Sequence, residues 1–281
     1  MVLGRTAVCS WSLRPTSSRA LVAACGEAGI VAVQLALDPL RDGRWSLVET
    51  RRTLADAGIA IVSGMMSTEG EDYTSLDTIR RTGGLRPVRH WETNVENARV
   101  NAENAAALGI ELVTLHAGFL PESDEDEDDS ERATMLERLD AIATIFAERG
   151  VRLGLETGQE TAKCLIGVLD ELGRTDVGVN FDPANMVLYG MGDPISALEK
   201  LATRVMQVHV KDAEWTTEPG TWGTEVPAGT GAVDWSRFFD LVAAQEATID
   251  VVIEREAGEE RIADVVRARE MIEQHSSRVS R

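Results

Sequence analysis

Four short segments of this chain share one feature: a nearly unbroken apolar run that ends on a group able to carry charge or ligate a metal. RLGLE ends on Glu156, VGVNFD on Asp182, VMQVH on His209 and DVVIE on Glu254. A carboxylate at the inner end of a buried segment is costly unless it is paired or coordinates a cation. Any one of these groups alone reads as an ordinary strand-end residue held by a neighbouring base such as Lys211, Arg255 or Arg152. Four of them converging from adjacent segments would repel without a cation between them. Three carboxylates and one imidazole form a hard oxygen-and-nitrogen shell with room for substrate oxygens. That shell suits one divalent ion, Mn²⁺ first, with Mg²⁺, Co²⁺ and Zn²⁺ compatible, and does not suit a thiolate-built structural zinc site. A fifth segment, LVTLH, ends on His116, which a backbone bond at the following Ala-Gly turn would also explain.

These side chains need elements that aim them at one point. The clearest organisational signal is a recurring helix-to-strand junction at Gly29, Gly58, Gly109 and Gly150. At each, a helical pattern ends on the residue that best tolerates the left-handed cap, and a β-branched or leucine-rich run follows. Completing the pattern gives eight strands near Thr6–Ser10, Val31–Leu35, Ile59–Ser63, Leu112–His116, Arg152–Glu156, Val177–Phe181, Val205–Val210 and Ile249–Glu254. Amphipathic stretches such as Ser17–Ala28, Asn94–Leu108, Glu131–Glu148 and Glu259–His275 lie between them. Eight βα units predict an α/β chain folded as a single (β/α)₈ barrel over residues 1–281. A doubly wound open sheet would usually carry a glycine-rich phosphate loop, and neither GxGxxG nor GxxxxGK[ST] occurs.

Barrel chemistry takes place at the C-terminal ends of the strands, where the charged positions fall. Two long connections, about 64–94 and 211–234, are expected at the same mouth, shaping the site and carrying selectivity. The acidic run Glu122–Glu131 would also sit there, and a run of like charge reads as a solvated segment without assigned function. Trp11, Trp91, Trp215 and Trp222 lie on segments leading to the mouth, where they either stack on a ring or fill space beneath the loops.

Composition narrows the partners. Lys and Arg number 28 against 47 Asp and Glu, a formal charge of −19, the wrong balance for neutralising phosphates of nucleic acid or lipid. No window approaches the apolar run of a spanning helix, and Met1–Ser10 runs straight into a strand without a signal-peptide pattern. Three scattered cysteines, Cys9, Cys25 and Cys164, suit a reducing compartment, so the expected location is cytoplasmic, and a homo-oligomer is compatible.

The motifs LHAG, GLETG, NFDPAN, VHVKD, GTGAVDW and the closing IERE make the chain similar, over nearly its whole length, to the xylose-isomerase-like TIM-barrel sugar phosphate isomerases and epimerases. That group contains ketose 3-epimerases, hydroxypyruvate isomerase and inosose dehydratase. The resemblance implies one divalent metal on Glu156, Asp182, His209 and Glu254. It also implies that Glu156 and Glu254 form the acid/base pair on opposite faces of a carbohydrate substrate, with His116 in contact with it. Two departures bear on recognition: Asn185 stands where many ketose 3-epimerases have histidine, and Lys211-Asp212 follows the strand-seven histidine. Trp11, Asn185, Lys211 and Arg255 complete the expected substrate contacts.

The chemistry implied is removal of a weakly acidic C–H beside a carbonyl, through a metal-stabilised ene-diolate. Proton return to the opposite face gives an epimerase, delivery to the adjacent carbon an isomerase, and expulsion of a leaving group a lyase or dehydratase acting on a keto-sugar or keto-glycoside. A non-catalytic sugar-binding barrel or silent partner subunit would have lost a ligand or a glutamate, and neither is lost. Basic candidates for a substrate phosphate are Arg14, Lys211 and Arg255, with Arg80 and Arg81 if their loop folds inward. The acidic balance favours a non-phosphorylated sugar. A histidine-rich multi-zinc nuclease site is excluded by the four histidines, of which His90 and His275 are expected off-site on a loop and the terminal helix.

Overall fold

In the computed structural model, which describes residues 3–121, 129–218 and 220–279, the glycine junctions close the helices as their sequence requires. Gly29, Gly58, Gly109 and Gly150 have φ of +66°, +69°, +74° and +72°, left-handed values at which a side chain would add strain. The chain then enters a strand each time. The barrel strands are β1 (Thr6–Cys9), β2 (Ala32–Ala36), β3 (Ala60–Met65), β4 (Leu112–Leu115), β5 (Arg152–Glu156), β6 (Val177–Phe181) and β7 (Val205–Val210). A hairpin of β8 (Asp212–Glu214) and β9 (Thr224–Val226) precedes the last barrel strand, β10 (Asp250–Ile253). All barrel pairings are parallel, and β1 joins both β10 and β2, which closes an eight-stranded barrel. The helices along the chain are α1 (Ser18–Ala28), α2 (Asp38–Arg41), α3 (Leu47–Asp56), α4 (Leu76–Thr82), α5 (Trp91–Leu108), α6 (Asp129–Ala147), α7 (Ala162–Leu172), α8 (Pro183–Leu188), α9 (Pro194–Leu201), α10 (Trp235–Ala243) and α11 (Arg261–Val279).

The main core lies between strands and helices. Leu35, Leu115, Phe146, Phe181 and Phe238 are fully buried there. Inside the barrel the filling is different: a small apolar cluster of Ala7, Cys9, Ala32 and Val252, with a polar layer around it. In that layer Ser63 donates to Gln207 (2.6 Å), Gln207 donates to Asn180 (3.0 Å), and Gln34 donates to Thr114 (2.8 Å). Buried amides of this kind are tolerable because nearly every polar atom finds a partner. They form a rigid floor beneath the C-terminal mouth.

Both long connections carry structure of their own. Within 64–94 the Ser75 hydroxyl accepts the Thr78 N–H (3.1 Å) while Thr78 accepts the Ser75 N–H (2.9 Å), a reciprocal cap that starts α4. Trp91 was expected on this mouth loop but begins α5, and Arg138 stacks over its ring at 5.1 Å. Within 211–234 the β8–β9 hairpin is locked by Asp212, whose carboxylate accepts five N–H groups, from Ala213, Gly229, Gly231, Val233 and the Trp235 indole. Residues 122–128 of the acidic run lie outside the described residues. Among the described residues no helix is long and apolar enough to cross a membrane.

Candidate functional site

The strands bring Glu156, Asp182, His209 and Glu254 to one point. Each offers a ligand atom, and these atoms lie within 4.8 Å of one another, all buried. β5 ends on Glu156, β6 and β10 end one residue before Asp182 and Glu254, and His209 is the penultimate residue of β7. Parallel register places these four ends side by side at the barrel rim. His209 Nδ1 sits centrally, 3.4 Å from Asp182 Oδ2, 3.5 Å from Glu254 Oε2 and 3.6 Å from Glu156 Oε1. Both His209 Nδ1 and Asp182 Oδ2 are buried without a hydrogen-bond partner. Two orphaned atoms aimed at one point, inside a set of three carboxylates and an imidazole, fit a divalent cation of the Mg²⁺, Mn²⁺ or Zn²⁺ kind.

The other oxygens of the cluster are held. Glu156 accepts from Asn180 Nδ2 and Asn185 Nδ2, each at 3.1 Å, and faces His116 Nε2 at 3.4 Å. Glu254 accepts from the Trp11 indole and from Lys211 Nζ, each at 2.8 Å. Asp182 caps α8 through the Asn185 N–H (2.9 Å), so one oxygen serves the helix while the other faces His209. Burial pushes the Asp182 carboxyl up to about 6, against the pull of Lys211 and His209. Burial also opposes ionisation of Glu254, but Lys211 and His209 overcome it and hold that carboxyl well below the usual range. Glu156 is likewise lowered despite burial, by His116 and His209. Two glutamates in one cluster therefore have different neighbours, an amide pair and a histidine for one, an indole and an ammonium for the other.

Above the cluster opens a cavity of about 510 Å³. Trp11, His116, Asn185, Lys211 and Glu254 line it, as do Met65, Tyr73, Tyr189 and Trp222. Both long connections thus supply part of its wall. Arg255 requires a correction. Side chains alternate along an extended chain, so the residue after Glu254 points to the outer face of the barrel rather than into it. The Arg255 guanidinium is bound by Glu225 (2.7 Å) and Asp264 (2.9 Å), and it does not reach the cavity. Trp215 is 45% exposed on the hairpin, Arg14 pairs with Glu259 and Arg80 stacks over Phe119, so none of these lies against the cluster. Lys211 is bonded to Glu254, Glu256 and Asn185, and among the described residues it is the only lysine or arginine lining the cavity.

Several residues escaped sequence reading. Gln34 and Asn180 are polar residues inside VAVQLAL and VGVNFD, and both contact His209 Nε2 (2.8 and 3.1 Å). A polar side chain interrupting a doubly buried strand was the available signal. Glu71, Tyr73, Tyr189 and Glu256 had none, because only the folded loops bring them to the cavity.

The family model described as xylose isomerase-like TIM barrel matches residues 22–275, and the chain belongs to that family. Among solved structures, a xylose isomerase domain protein from Planctomyces limnophilus is 29% identical, with 92% of this chain and 93% of that one covered and a TM-score of 0.84. A xylose isomerase-like TIM-barrel protein from Mycobacterium smegmatis, solved in complex with magnesium, is 18% identical, covering 99% and 97% with a TM-score of 0.73. D-allulose 3-epimerase from Methylomonas sp., in complex with D-allulose, is 15% identical, covering 98% of each chain with a TM-score of 0.71. No curated protein matches the chain in sequence.

Proposed function

We propose that this chain, acting as one catalytic unit, is a divalent-metal-dependent sugar isomerase or epimerase working on a keto-sugar or sugar derivative. The observation that carries the reading is the buried pair of orphaned atoms, His209 Nδ1 and Asp182 Oδ2, between two further carboxylates at the floor of a cavity. Glu156, Asp182, His209 and Glu254 would hold the ion, with Mn²⁺ preferred. When bound, it supplies positive charge that stabilises negative charge developing on neighbouring substrate oxygens.

Glu254 lines the cavity with both oxygens hydrogen-bonded, which orients it to take a proton from the carbon beside the substrate carbonyl. Glu156 is oriented independently by Asn180, Asn185 and His116, and serves as the second acid/base group. His116, Asn185 and Lys211 hold substrate hydroxyls. Trp11 and Trp222 offer flat apolar surface to a sugar ring and, with Tyr189, exclude water from the reacting carbon. Lys211 is already engaged by two carboxylates and Glu71 also faces the cavity, so an uncharged sugar is favoured over a phosphate ester.

The test combines metal content with isotope exchange. Protein purified with Mn²⁺ should retain about one ion per chain, and Asp182→Ala should lose most of it. A panel of keto-sugars in D₂O, with and without Mn²⁺, should then show metal-dependent deuterium uptake at carbon, with inversion or carbonyl transfer. Loss of water from the same substrate would make the enzyme a lyase. Absence of exchange on every sugar, with ligand binding unaffected by Glu156→Gln or Glu254→Gln, would make the chain a binding protein.

A further inference from the structure

The metal reading assigns His209 a ligand nitrogen, and it leaves open what turns that nitrogen toward the carboxylates. An imidazole can present Nδ1 as an acceptor only if Nε2 carries the proton, and the group beside Nε2 decides this. That group is Gln34, reaching across the barrel from β2, with Oε1 2.8 Å from His209 Nε2.

Amide oxygen and nitrogen are told apart by their neighbours. Gln34 Nε2 lies 2.8 Å from Thr114 Oγ1 and 3.5 Å from the Gly64 carbonyl oxygen, which can only accept. The Cys9 thiol lies 3.3 Å from Gln34 Oε1 and can donate to it. Both contacts place –NH₂ toward β3 and β4 and the oxygen toward His209. Asn180 cannot supply an acceptor instead. Its Oδ1 takes the Gln207 N–H and its Nδ2 gives one N–H to Glu156, so at 3.1 Å from Nε2 it offers no acceptor. Its remaining N–H serves only the opposite tautomer, and that longer contact competes with Gln34 Oε1 at 2.8 Å. Gln34 is fully buried, so no water substitutes for it easily.

We propose that Gln34 is a positioning residue that fixes the His209 ring with Nε2–H toward the barrel floor, so that Nδ1 is offered to the cation site. This rests on the reading of His209 as a metal ligand. The polar floor then has a purpose beyond filling the barrel: Thr114 holds Gln34, and Gln34 holds His209, while Gln207 and Asn180 do the same for Glu156.

Long-range ¹H–¹⁵N correlation spectra test the ring directly, and only four histidines need assignment. In the wild-type protein, without metal and with diamagnetic Mg²⁺, His209 Nε2 should be protonated. An unprotonated Nε2 overturns the proposal, whatever any variant does. Mn²⁺ affinity, read from the EPR signal of the free ion, should fall roughly ten- to a hundred-fold in Gln34→Leu, the range for losing such a support. It should stay within a few-fold of wild type in Gln34→Glu, which keeps an acceptor beside Nε2. Wild-type affinity in Gln34→Leu, or equal loss in both variants, would reduce Gln34 to packing and refute the assignment. Should Gln34→Leu not fold, the wild-type spectra decide alone. Wild-type protein that binds no Mn²⁺ would instead sink the metal reading, a result independent of the spectra of the metal-free protein.

Discussion

Asp212→Ala isolates what the loop 211–234 contributes, because a single carboxylate organises it. The substitution removes the acceptor of five donors. The glycine N–H groups of Gly229 and Gly231 are only part-buried and can turn to water, whereas the Ala213 and Val233 N–H groups and the Trp235 indole N–H are buried. A buried donor left unsatisfied costs about 1–3 kcal/mol, so three cost at least about 3 kcal/mol if the loop stays closed. At about 1.4 kcal/mol per tenfold, the opening equilibrium of the loop shifts at least about a hundred-fold. The barrel strands do not depend on these bonds. Hydrogen exchange read by mass spectrometry should therefore lose protection by that factor in peptides covering 212–234, while peptides from β5 and β6 keep theirs. Trp222 rides on this loop and lines the cavity, so sugar affinity should weaken while metal binding persists. Unchanged protection in 212–234, or an even loss across the whole barrel, would refute the assignment of Asp212 as a local organiser.

Glu156→Gln and Glu254→Gln each keep an oxygen near the cluster but remove basicity; metal should stay at least partly bound while turnover falls about 10²- to 10⁴-fold, measured by steady-state rates on an active sugar. In a two-base epimerase either variant should still wash deuterium into one face without inversion. The cysteines should be silent in the native protein: Cys9, Cys25 and Cys164 are buried, and burial pushes the Cys25 thiol up to about 11. A thiol-exchange reagent at pH 8 should titrate none within minutes and all three after denaturation, and rapid native labelling would contradict the packing.

The linear chain determined the repeat and the four groups that cluster at its strand ends. Glycine at the end of each helical pattern and apolar runs as short as RLGLE are local features, governed by backbone sterics and by burial on both faces, and they place seven of the eight strands within a residue of their positions at both ends. A charged group closing such a run is equally local, so Glu156, Asp182, His209 and Glu254 were legible before any fold was known. What those groups touch was not. Gln34 and His209 are separated by 175 residues and meet only because the barrel closes across its own interior. Arg255 departs from expectation for a related reason: proximity in sequence to Glu254 says nothing of the opposite face to which alternation sends it. The connections were the least legible, because α4 and the β8–β9 hairpin depend on a side-chain cap and on one carboxylate gathering N–H groups up to 23 residues away. Local sterics write themselves into a sequence; contacts that exist only after distant strands have paired do not.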